Sequence, residues 1–313
     1  MKLRWLIGFM LIVMSLRMPA QPEQIAYTVA FAQSHQTSLR FFGTGSSDID
    51  RVKIPLDNPH RSVDVDGDFT IEFWLKAAPA SNSSPACVES TSEDKWTNGN
   101  IILDRDIFGD GDYGDYGISL AGGKIAFGTA VGSNRRTICG TDDLRDGQWH
   151  HVAVTRQSST GQMRIFVDGQ LQKSENGPSG NLSYRENRPT LYPNSDPYLV
   201  IAAEKHDYDP STYPSFNGWL DELRISNVIR YTANFTPPSV PFNPDASTVA
   251  LYHFDGSAGA CTGTVSDASG QGNHGQCIYG GTSPNLGPRY ESDSPFSSSI
   301  IYSHKVYLPL VRR

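Results

Sequence analysis

The sequence predicts an all-β fold, a sandwich of two antiparallel sheets, on three observations. Apolar and polar residues alternate in short runs, as in residues 69–76 and 162–168, and a period of two places one set of side chains on the core face of a strand. Glycine and proline, with 29 and 20 occurrences in 313 residues, supply many turns. Gly122-Gly123 and Asp168-Gly169 follow such runs and tolerate the positive φ angles of tight hairpins.

The stretch from residue 144 to residue 171 organises the predicted fold. Its first strand has Val152 and Val154 on one face, and a second strand, residues 163–168, alternates in the same way. A polar turn at residues 158–161 joins the two strands. The spacing therefore predicts a β-meander.

The N-terminus has the pattern of a signal peptide. Lys2 and Arg4 precede an apolar run, residues 5–16, which is too short for an ordinary membrane span. We interpret residues 1–32 as the signal peptide, with Ala30-Phe31-Ala32 as a small-residue cleavage site. That site lies far beyond the apolar run, so an uncleaved N-terminal anchor is the alternative. After cleavage no membrane span is expected to remain.

Charge and cysteine content narrow the class of protein. The formal net charge is −7 and there is no run of basic residues, so nucleic acid is not an expected partner. Four cysteines in an exported chain favour disulfides. Of three possible pairings we favour Cys87–Cys139 and Cys261–Cys277, because each joins loops within one region of the sequence. Zinc is the alternative, but no Cys-x-x-Cys or histidine spacing supports it.

Four motifs carry a resemblance to a known family. They are D-G-Q-W-H-H-V-A-V at residues 146–154, V-D-G at 167–169, F-T-I-E-F-W at 69–74 and F-N-G-W-L-D-E-L-R-I at 216–225. Together they resemble the laminin-G-like, concanavalin-A-like jelly-roll superfamily. The resemblance covers residues 38–237 and implies a jelly-roll sandwich.

The resemblance also suggests a division into domains. Residues 38–240 are predicted to form one laminin-G-like domain. Residues 249–255 and 267–275 resemble elements that usually precede the opening strand of these domains. We interpret residues 241–300 as strands that complete the same sandwich, since a lone pair of strands could not bury a core. A truncated second module is the alternative. Residues 301–313 form a tail, either an added edge strand or a cell-surface sorting segment.

The sequence offers no obvious catalytic pair. Glycoside hydrolases of this fold place two or three carboxylates on one strand with E-x-D-x-E spacing, and that pattern is absent. Glu72 is single on its strand, and the adjacent Asp221 and Glu222 are expected to point to opposite faces. His150 and His151 belong to the family motif and are expected to be structural. We therefore predict a non-catalytic protein, with a glycoside hydrolase of the same fold as the alternative.

Two kinds of acidic site are candidates for binding calcium. Acid-rich turns are present at Asp104, Asp106, Asp110, Asp112, Asp115, Asp207 and Asp209. The first five lack the EF-hand spacing, and we interpret them as a solvated loop. The resemblance implies a structural Ca²⁺ at Asp221, completed by backbone carbonyls of Gly67 and Gly43, with Asp48 as a weaker donor. A carboxylate bound to loop amides is the equal alternative for Asp221.

Aromatic and acidic residues on loops are candidates for ligand binding, because sugars present apolar C–H faces to aromatic rings and hydroxyls to polar groups. The predicted set is Trp96, Tyr113, Tyr116, Asp207, Tyr208 and Tyr213. The sequence therefore predicts a secreted recognition module that binds carbohydrate or a cell-surface ligand. A purely structural or adhesive surface protein is a further alternative.

Overall fold

The computed structural model describes residues 24–33, 37–57, 59–107, 114–182, 192, 194–206, 209–296 and 300–309. The chain divides into two compact units, one of residues 34–299 and one of residues 1–33 with 300–313. The strands are β1 (Gln24–Gln33), β2 (Ser38–Phe41), β3 (Arg51–Pro55), β4 (Phe69–Ala77), β5 (Asn100–Arg105), β6 (Gly114–Ala121), β7 (Lys124–Val131), β8 (Asn134–Cys139), β9 (Trp149–Gln157), β10 (Gln162–Val167), β11 (Gln170–Asn176), β12 (Tyr198–Ile201), β13 (Gly218–Ser226), β14 (Thr248–Tyr252), β15 (Gly259–Ala260), β16 (Thr264–Val265), β17 (Gly275–Ile278), β18 (Gly280–Thr282), β19 (Asn285–Gly287), β20 (Arg289–Glu291) and β21 (Ile300–Pro309). Two short 3-10 helices, Pro79–Ser81 and Lys95–Asn98, lie between β4 and β5.

Residues 34–299 form two large antiparallel sheets, which confirms the predicted fold class. The first sheet has the order β11-β10-β9-β4-β13-β2-β20-β15, and β14 also pairs with β13. The second has the order β16-β17-β3-β12-β5-β6-β7-β8. Neighbours in the sheets are often distant in sequence, as for β13 between β4 and β2, which is typical of jelly-roll sandwiches.

The core lies between the inner faces of the two sheets. On β4, Ile71, Phe73 and Leu75 are fully buried and belong to the same apolar cluster as Leu103 and Ile118 of the second sheet. Each such side chain contributes roughly 1.5–3 kcal/mol when it leaves water. The alternation of apolar residues in the sequence therefore marks the faces that meet in the core.

The hairpins form where the turn residues predict them. Asp168 and Gly169 have φ angles of 48° and 74° and connect β10 to β11. A two-residue turn of the type that continues the twist of the strands needs positive φ at both positions. The turn from β9 to β10 ends at Gly161, whose φ is also positive.

The C-terminal part of residues 34–299 contributes to both sheets. β14 pairs with β13, β20 pairs with β2, and β17 pairs with β3 of the second sheet. Residues 248–291 therefore add strands to the same sandwich as the residues before them.

Two disulfides fasten loops to the sandwich, and both pairings agree with the prediction. Cys87–Cys139 joins the long loop between β4 and β5 to the edge strand β8, and Cys261–Cys277 joins the segment after β15 to β17. The Cα–Cα distances are 5.9 and 5.8 Å, within the range that a disulfide requires. Each bond limits the freedom of the unfolded chain and so favours the folded state.

The second unit pairs the two termini. β1 and β21 are antiparallel over ten residues, with Gln24 opposite Pro309 and Gln33 opposite Ile300. The predicted signal peptide, residues 1–32, overlaps β1, and its removal stays a prediction. Among the described residues, no helix has the length and apolar character needed to cross a membrane.

Candidate functional site

The structure does not bring the predicted calcium ligands together. Gly218 lies opposite both Ala77 of β4 and Phe41 of β2, so Gly43 lies near the end of β4. Gly67 lies just before the first residue of β4. A nine-residue strand is roughly 30 Å long, which is far beyond the reach of one ion. The two carbonyls cannot belong to one site, and this corrects the predicted ligand set.

The carboxylates of Asp221 and Asp48, which were predicted to bind calcium, also lie in surroundings that differ from the predicted site. Asp221 is buried, and its two oxygens accept hydrogen bonds from Ser294 Oγ at 2.8 Å and Glu222 N at 2.9 Å. Burial, with the nearby charge of Glu222, raises the pKa of Asp221 well above its ordinary value. Asp48 is exposed on the loop before β3. Asp221 therefore fits the alternative, a carboxyl group bound within the protein.

The predicted ligand residues divide into three groups. Trp96 and Tyr116 have no exposed surface, so neither can contact a ligand, and the prediction is corrected for both. The ring of Trp96 lies where a Cβ on Gly117 or Gly128 would overlap it, and the two glycines thus make room for it on the second sheet. Tyr213 is half-buried and packs beside Trp96. Tyr113, Asp207 and Tyr208 lie outside the described residues.

A group of acidic residues meets on the second sheet near the end of β5. We call it the acidic cluster, and it consists of Asp104, Asp106, Asp115, Asp196, Glu204 and His206. The ligand atoms of Asp106, Glu204 and His206 all lie within 4.8 Å of one another. Sequence analysis treated the first three acids as a solvated loop, but Asp104 and Asp115 are only 1% and 3% exposed, which corrects that interpretation.

The chain reverses after β12 and so brings residues 204–206 to the cluster. Ala202 has a φ of 75°, and its amide N donates to Ile102 O at 2.8 Å. Lys205 N then donates to Asp104 Oδ2 at 3.1 Å. His206 lies between two carboxylates, with Nδ1 2.9 Å from Glu204 Oε1 and Nε2 2.8 Å from Asp196 Oδ1. The reversal therefore places His206 at the centre of the cluster.

The electrostatics show an excess of negative charge. Burial raises the pKa of Asp115 to about 7, and burial together with the charges of Asp106 and Glu204 raises that of Asp104. Burial opposes protonation of His206, yet hydrogen bonds to Asp196 and Glu204 raise its pKa to about 10. The carboxyl groups hold protons tightly here chiefly because burial disfavours their charged form; repulsion between neighbouring carboxylates adds to this, and a bound cation would relieve that repulsion.

The donor set fits a divalent cation. Asp106 Oδ1 is buried and makes no hydrogen bond within the described residues, and it lies 3.5 Å from His206 Nδ1. Carboxylate oxygens are the ligands that calcium prefers, while an imidazole nitrogen adds affinity for transition metals. Asp106 and Glu204 would hold the ion, and the other acids surround it.

An exposed aromatic ring borders the acidic cluster. Tyr192 is 40% exposed, and its ring centroid lies 5.4 Å from that of His206 in an edge-on arrangement. Its carbonyl accepts hydrogen bonds from Ser195 N and Asp196 N, which fixes the backbone beside the cluster. Cation ligands and an exposed ring together are what sugar recognition uses. Sequence reasoning missed Tyr192, Asp196, Glu204 and His206, although Glu204 and His206 closely follow the apolar strand β12.

Comparison with models of protein families shows the family to which the chain belongs. A family model, Laminin_G_3, described as the concanavalin A-like lectin/glucanases superfamily, matches residues 50–233, more than half of the chain. The chain belongs to this superfamily. A search of the curated proteins finds no match.

Solved structures of the superfamily's fold are similar to the chain. A Bacteroides ovatus protein described as carbohydrate-binding has a TM-score of 0.51 and 18% identity, over 85% of this chain and 61% of that protein. The chain thus spans about three fifths of that protein. A pentraxin from Limulus polyphemus has a TM-score of 0.41 and 14% identity, over 63% and 79% of the two chains. Domains LG4-5 of the mouse laminin α1 chain have a TM-score of 0.41 and 17% identity, over 78% and 55%. At 18% identity, the similarity to the Bacteroides ovatus protein shows the fold alone.

Because the superfamily includes glucanases, the carboxylates on the outer face of the first sheet must be considered as catalytic candidates. Glu72 is fully buried; Arg224 Nε donates to its Oε1 at 2.9 Å and Tyr231 Oη to its Oε2 at 2.8 Å. Burial alone would raise the pKa of Glu72, but hydrogen bonding to His151 and the charge of Arg224 outweigh burial and lower it. Glu72 therefore holds strands and loops together.

The pair Asp221 and Glu222 differs from its predicted geometry. A β-bulge interrupts β13, since Asp221 lies opposite Trp74 but Arg224 lies opposite Glu72, and Glu222 has a φ of 49°. Both carboxylates are buried rather than split between a core face and a solvent face. Glu222 accepts a hydrogen bond from Phe242 N at 2.7 Å. The bulge is the feature that simple strand alternation could not predict.

Proposed function

We propose that the chain is a secreted, non-catalytic recognition module that binds carbohydrate at the acidic cluster and Tyr192 with the help of calcium. The observation that carries the proposal is that the carboxylate oxygens of Asp106 and Glu204 lie within 4.8 Å of each other and of His206, beside an exposed tyrosine. The predicted calcium is thus retained, but at Asp106 and Glu204 rather than at Asp221.

The chemistry of the proposed site follows from its parts. Calcium accepts six to eight oxygen ligands, so a bound ion would leave positions for sugar hydroxyl oxygens. The carboxylates of Asp106 and Glu204 would hold the ion. The face of Tyr192 would pack against the apolar C–H face of a sugar ring. Hydrogen bonds from His206 would keep Glu204 and Asp196 in place.

Further observations support export, recognition and the absence of catalysis. The two disulfides are typical of proteins that fold in an oxidising compartment, and the first residues have the signal-peptide pattern. The structurally similar Bacteroides ovatus protein is described as carbohydrate-binding. The non-catalytic proposal is supported by the engagement of Glu72 with Arg224 and Tyr231.

The test is binding of the full chain to a panel of glycans and polysaccharides, in calcium and in EDTA, with release of reducing ends measured on the same samples. We expect binding in calcium, loss in EDTA, and no release. Glu204→Gln should weaken binding at least tenfold. Glu93→Gln, which alters an exposed carboxylate in the loop between β4 and β5, should leave binding unchanged.

Other outcomes favour the alternatives. Release of reducing ends would favour a glycoside hydrolase. Binding that survives both EDTA and Glu204→Gln would remove calcium and the acidic cluster from the proposal. Absence of binding to every glycan would favour a protein partner or an adhesive role.

A further inference from the structure

A polar hollow lies at the end of the sandwich where β4 begins and β9 ends. Its volume is about 410 Å³, and it is lined by Gly67, Ser158, Ser159, Ser179, Gly180 and Asn181. This volume falls within the range of small-molecule sites, but the hollow is open to solvent rather than enclosed. The lining consists of glycines, serine hydroxyls and one amide, so it is shaped by backbone and short polar side chains.

Buried Arg156 fixes the walls of the hollow. Its side chain is fully buried, and its guanidinium donates to Gly67 O at 3.2 Å, Pro178 O at 2.9 Å and Gly180 O at 2.8 Å. One residue therefore ties together the segments before β4 and after β11. Burial lowers the pKa of Arg156 to about 10, so the guanidinium stays charged at neutral pH and keeps these bonds.

A second set of hydrogen bonds fixes the turn after β9. Asp68 Oδ1 accepts from Ser158 N at 2.7 Å and from Ser158 Oγ at 2.8 Å. Gly180 N donates to Ser158 O at 2.8 Å. The hollow is thus preformed, and a ligand would not need to order its walls, which lowers the cost of binding.

The chemistry of the lining favours an uncharged ligand rich in hydroxyls. Ser159 and Ser179 are exposed, and no hydrogen bond from either hydroxyl is present within the described residues. Arg156 Nε is buried and also lacks a hydrogen-bond partner there. The carboxylates of Asp66 and Asp68 offset the charge of Arg156, so an anion would gain little. None of the described lining residues is aromatic, so hydrogen bonds rather than ring stacking would hold the ligand.

The hollow and the acidic cluster are joined through one residue. Arg105 stands between Asp104 and Asp106 in the sequence, and its Nη2 donates to Leu182 O at 2.8 Å. Leu182 directly follows Asn181, which lines the hollow, and Leu182 N donates to Asp66 O at 2.7 Å. Both sites therefore lie at the same end of the sandwich and share a rigid link.

We infer that this hollow is a second saccharide subsite, which takes an uncharged sugar unit of a chain whose other part binds the acidic cluster. The inference rests on the proposed function for its ligand class. It adds a binding element, Ser159, Ser179 and Asn181, that needs no cation. Longer saccharides should therefore bind more tightly than single sugars.

The test uses the ¹⁵N-labelled full chain in calcium and neutral oligosaccharides of glucose, xylose, mannose and galactose, from one to six units. Amide shifts of Ser159, Ser179 and Asn181 are compared with those of Glu204 and His206, and affinity is measured by calorimetry. We expect both groups of amides to shift with the longer chains of at least one series. Ser159→Phe or Ser179→Phe should then weaken binding of the hexasaccharide about tenfold, the value of one or two hydrogen bonds.

A matched control is Ser92→Phe, which adds the same ring at an exposed serine in the loop between β4 and β5 and should change affinity less than twofold. Shifts at Glu204 and His206 alone, or full affinity in both hollow variants, would overturn the subsite and leave the proposed function standing. Shifts at the hollow alone would overturn the inferred joint binding of one saccharide at both places and would also remove the acidic cluster from the proposed function. No shift at either place with any series would overturn both.

Discussion

Two buried groups of carboxylates in this molecule have opposite electrostatics. At Glu72, Arg224 and Tyr231 supply a donor to each oxygen, and the pKa is lowered despite burial. In the acidic cluster, Asp104 and Asp106 lie beside other acids, and burial with mutual repulsion raises the pKa of Asp104. Buried Lys205, together with His206, offsets part of this repulsion, so the first group is neutralised by the fold, whereas the second holds more carboxylates than cationic side chains.

The difference distinguishes a structural carboxylate from a functional one. Both groups are buried, so burial alone does not separate them. What separates them is whether the fixed cations of the protein are as numerous as the carboxylates. Perturbed pKa values with an incomplete set of partners are typical of binding sites. The following changes test whether the contrast between Glu72 and the acidic cluster is real.

Among the changes to carboxylates, the largest effect is expected from Glu72→Gln. The substitution removes the negative charge and leaves Arg224, whose side chain is 10% exposed, buried without its ion partner. Loss of one partner of a buried ion pair costs about 3–5 kcal/mol, and the retained amide should place the result at the low end. Urea unfolding followed by tryptophan fluorescence measures it, with Glu93→Gln as the exposed control. A change below about 1 kcal/mol would mean that Glu72 is not a structural anchor.

Calcium bound at the acidic cluster should stabilise the folded protein, whereas Glu72→Gln should destabilise it. A ligand that binds only the folded state adds about 2.7 kcal/mol to the free energy of unfolding at a hundred times its Kd. We expect calcium to raise the melting temperature by several degrees relative to EDTA. Asp106→Asn should abolish that increase, and in EDTA it should be as stable as the parent or slightly more so. Equal calcium responses in the parent and in Asp106→Asn would exclude the acidic cluster as the cation site.

A third prediction concerns how the stability of the calcium-free protein depends on pH. The pKa of Asp115 is raised from 3.8 to about 7, so between these values the folded state holds a proton that the unfolded chain has released. His206, raised from 6.5 to about 10, acts in the same direction at higher pH. Stability in EDTA should therefore fall as pH rises through both ranges. Below about pH 4.5 the lowered pKa of Glu72 reverses the trend, because its protonation breaks the pair with Arg224.

The measurement is the free energy of unfolding in EDTA from pH 4 to pH 9. We expect a maximum near pH 4.5 and a loss of several kcal/mol by pH 8. Saturating calcium should reduce the loss, because the cation replaces the protons. A maximum above pH 7 in EDTA would contradict the assignment of unneutralised charge to the cluster.

Much of the fold was predictable because strand alternation and turn chemistry are local. Residues 69–76 have a period of two, and β4 has its apolar face in the core. Asp168-Gly169 predicted a hairpin turn, and the two residues have the required φ angles. The disulfide pairs also followed from position in the sequence, since each closes loops of one region.

The candidate site was harder to predict because it depends on contacts between distant segments. Asp106 and Glu204 are nearly a hundred residues apart, and they meet only because the chain reverses at Ala202, a non-glycine residue with positive φ. Trp96 was assigned to ligand binding because a loop position suggested exposure. Its burial against Gly117 and Gly128 requires the tertiary structure. Local patterns therefore identify strands, while the arrangement of charges around a site comes from the crossing of loops.

The smallest effect is expected from Tyr192→Ala, and it separates an exposed ring from a buried one. Tyr192 is 40% exposed, so its loss should change the free energy of unfolding by less than about 0.5 kcal/mol. A ring that packs against a sugar contributes about 1 kcal/mol, so affinity for a bound glycan should fall roughly fivefold. Trp96→Ala is the matched contrast, because it should lower stability by about 3–5 kcal/mol and leave affinity of the folded fraction unchanged. Unaltered affinity in Tyr192→Ala, measured by calorimetry in calcium, would restrict recognition to the cation and the polar groups around it.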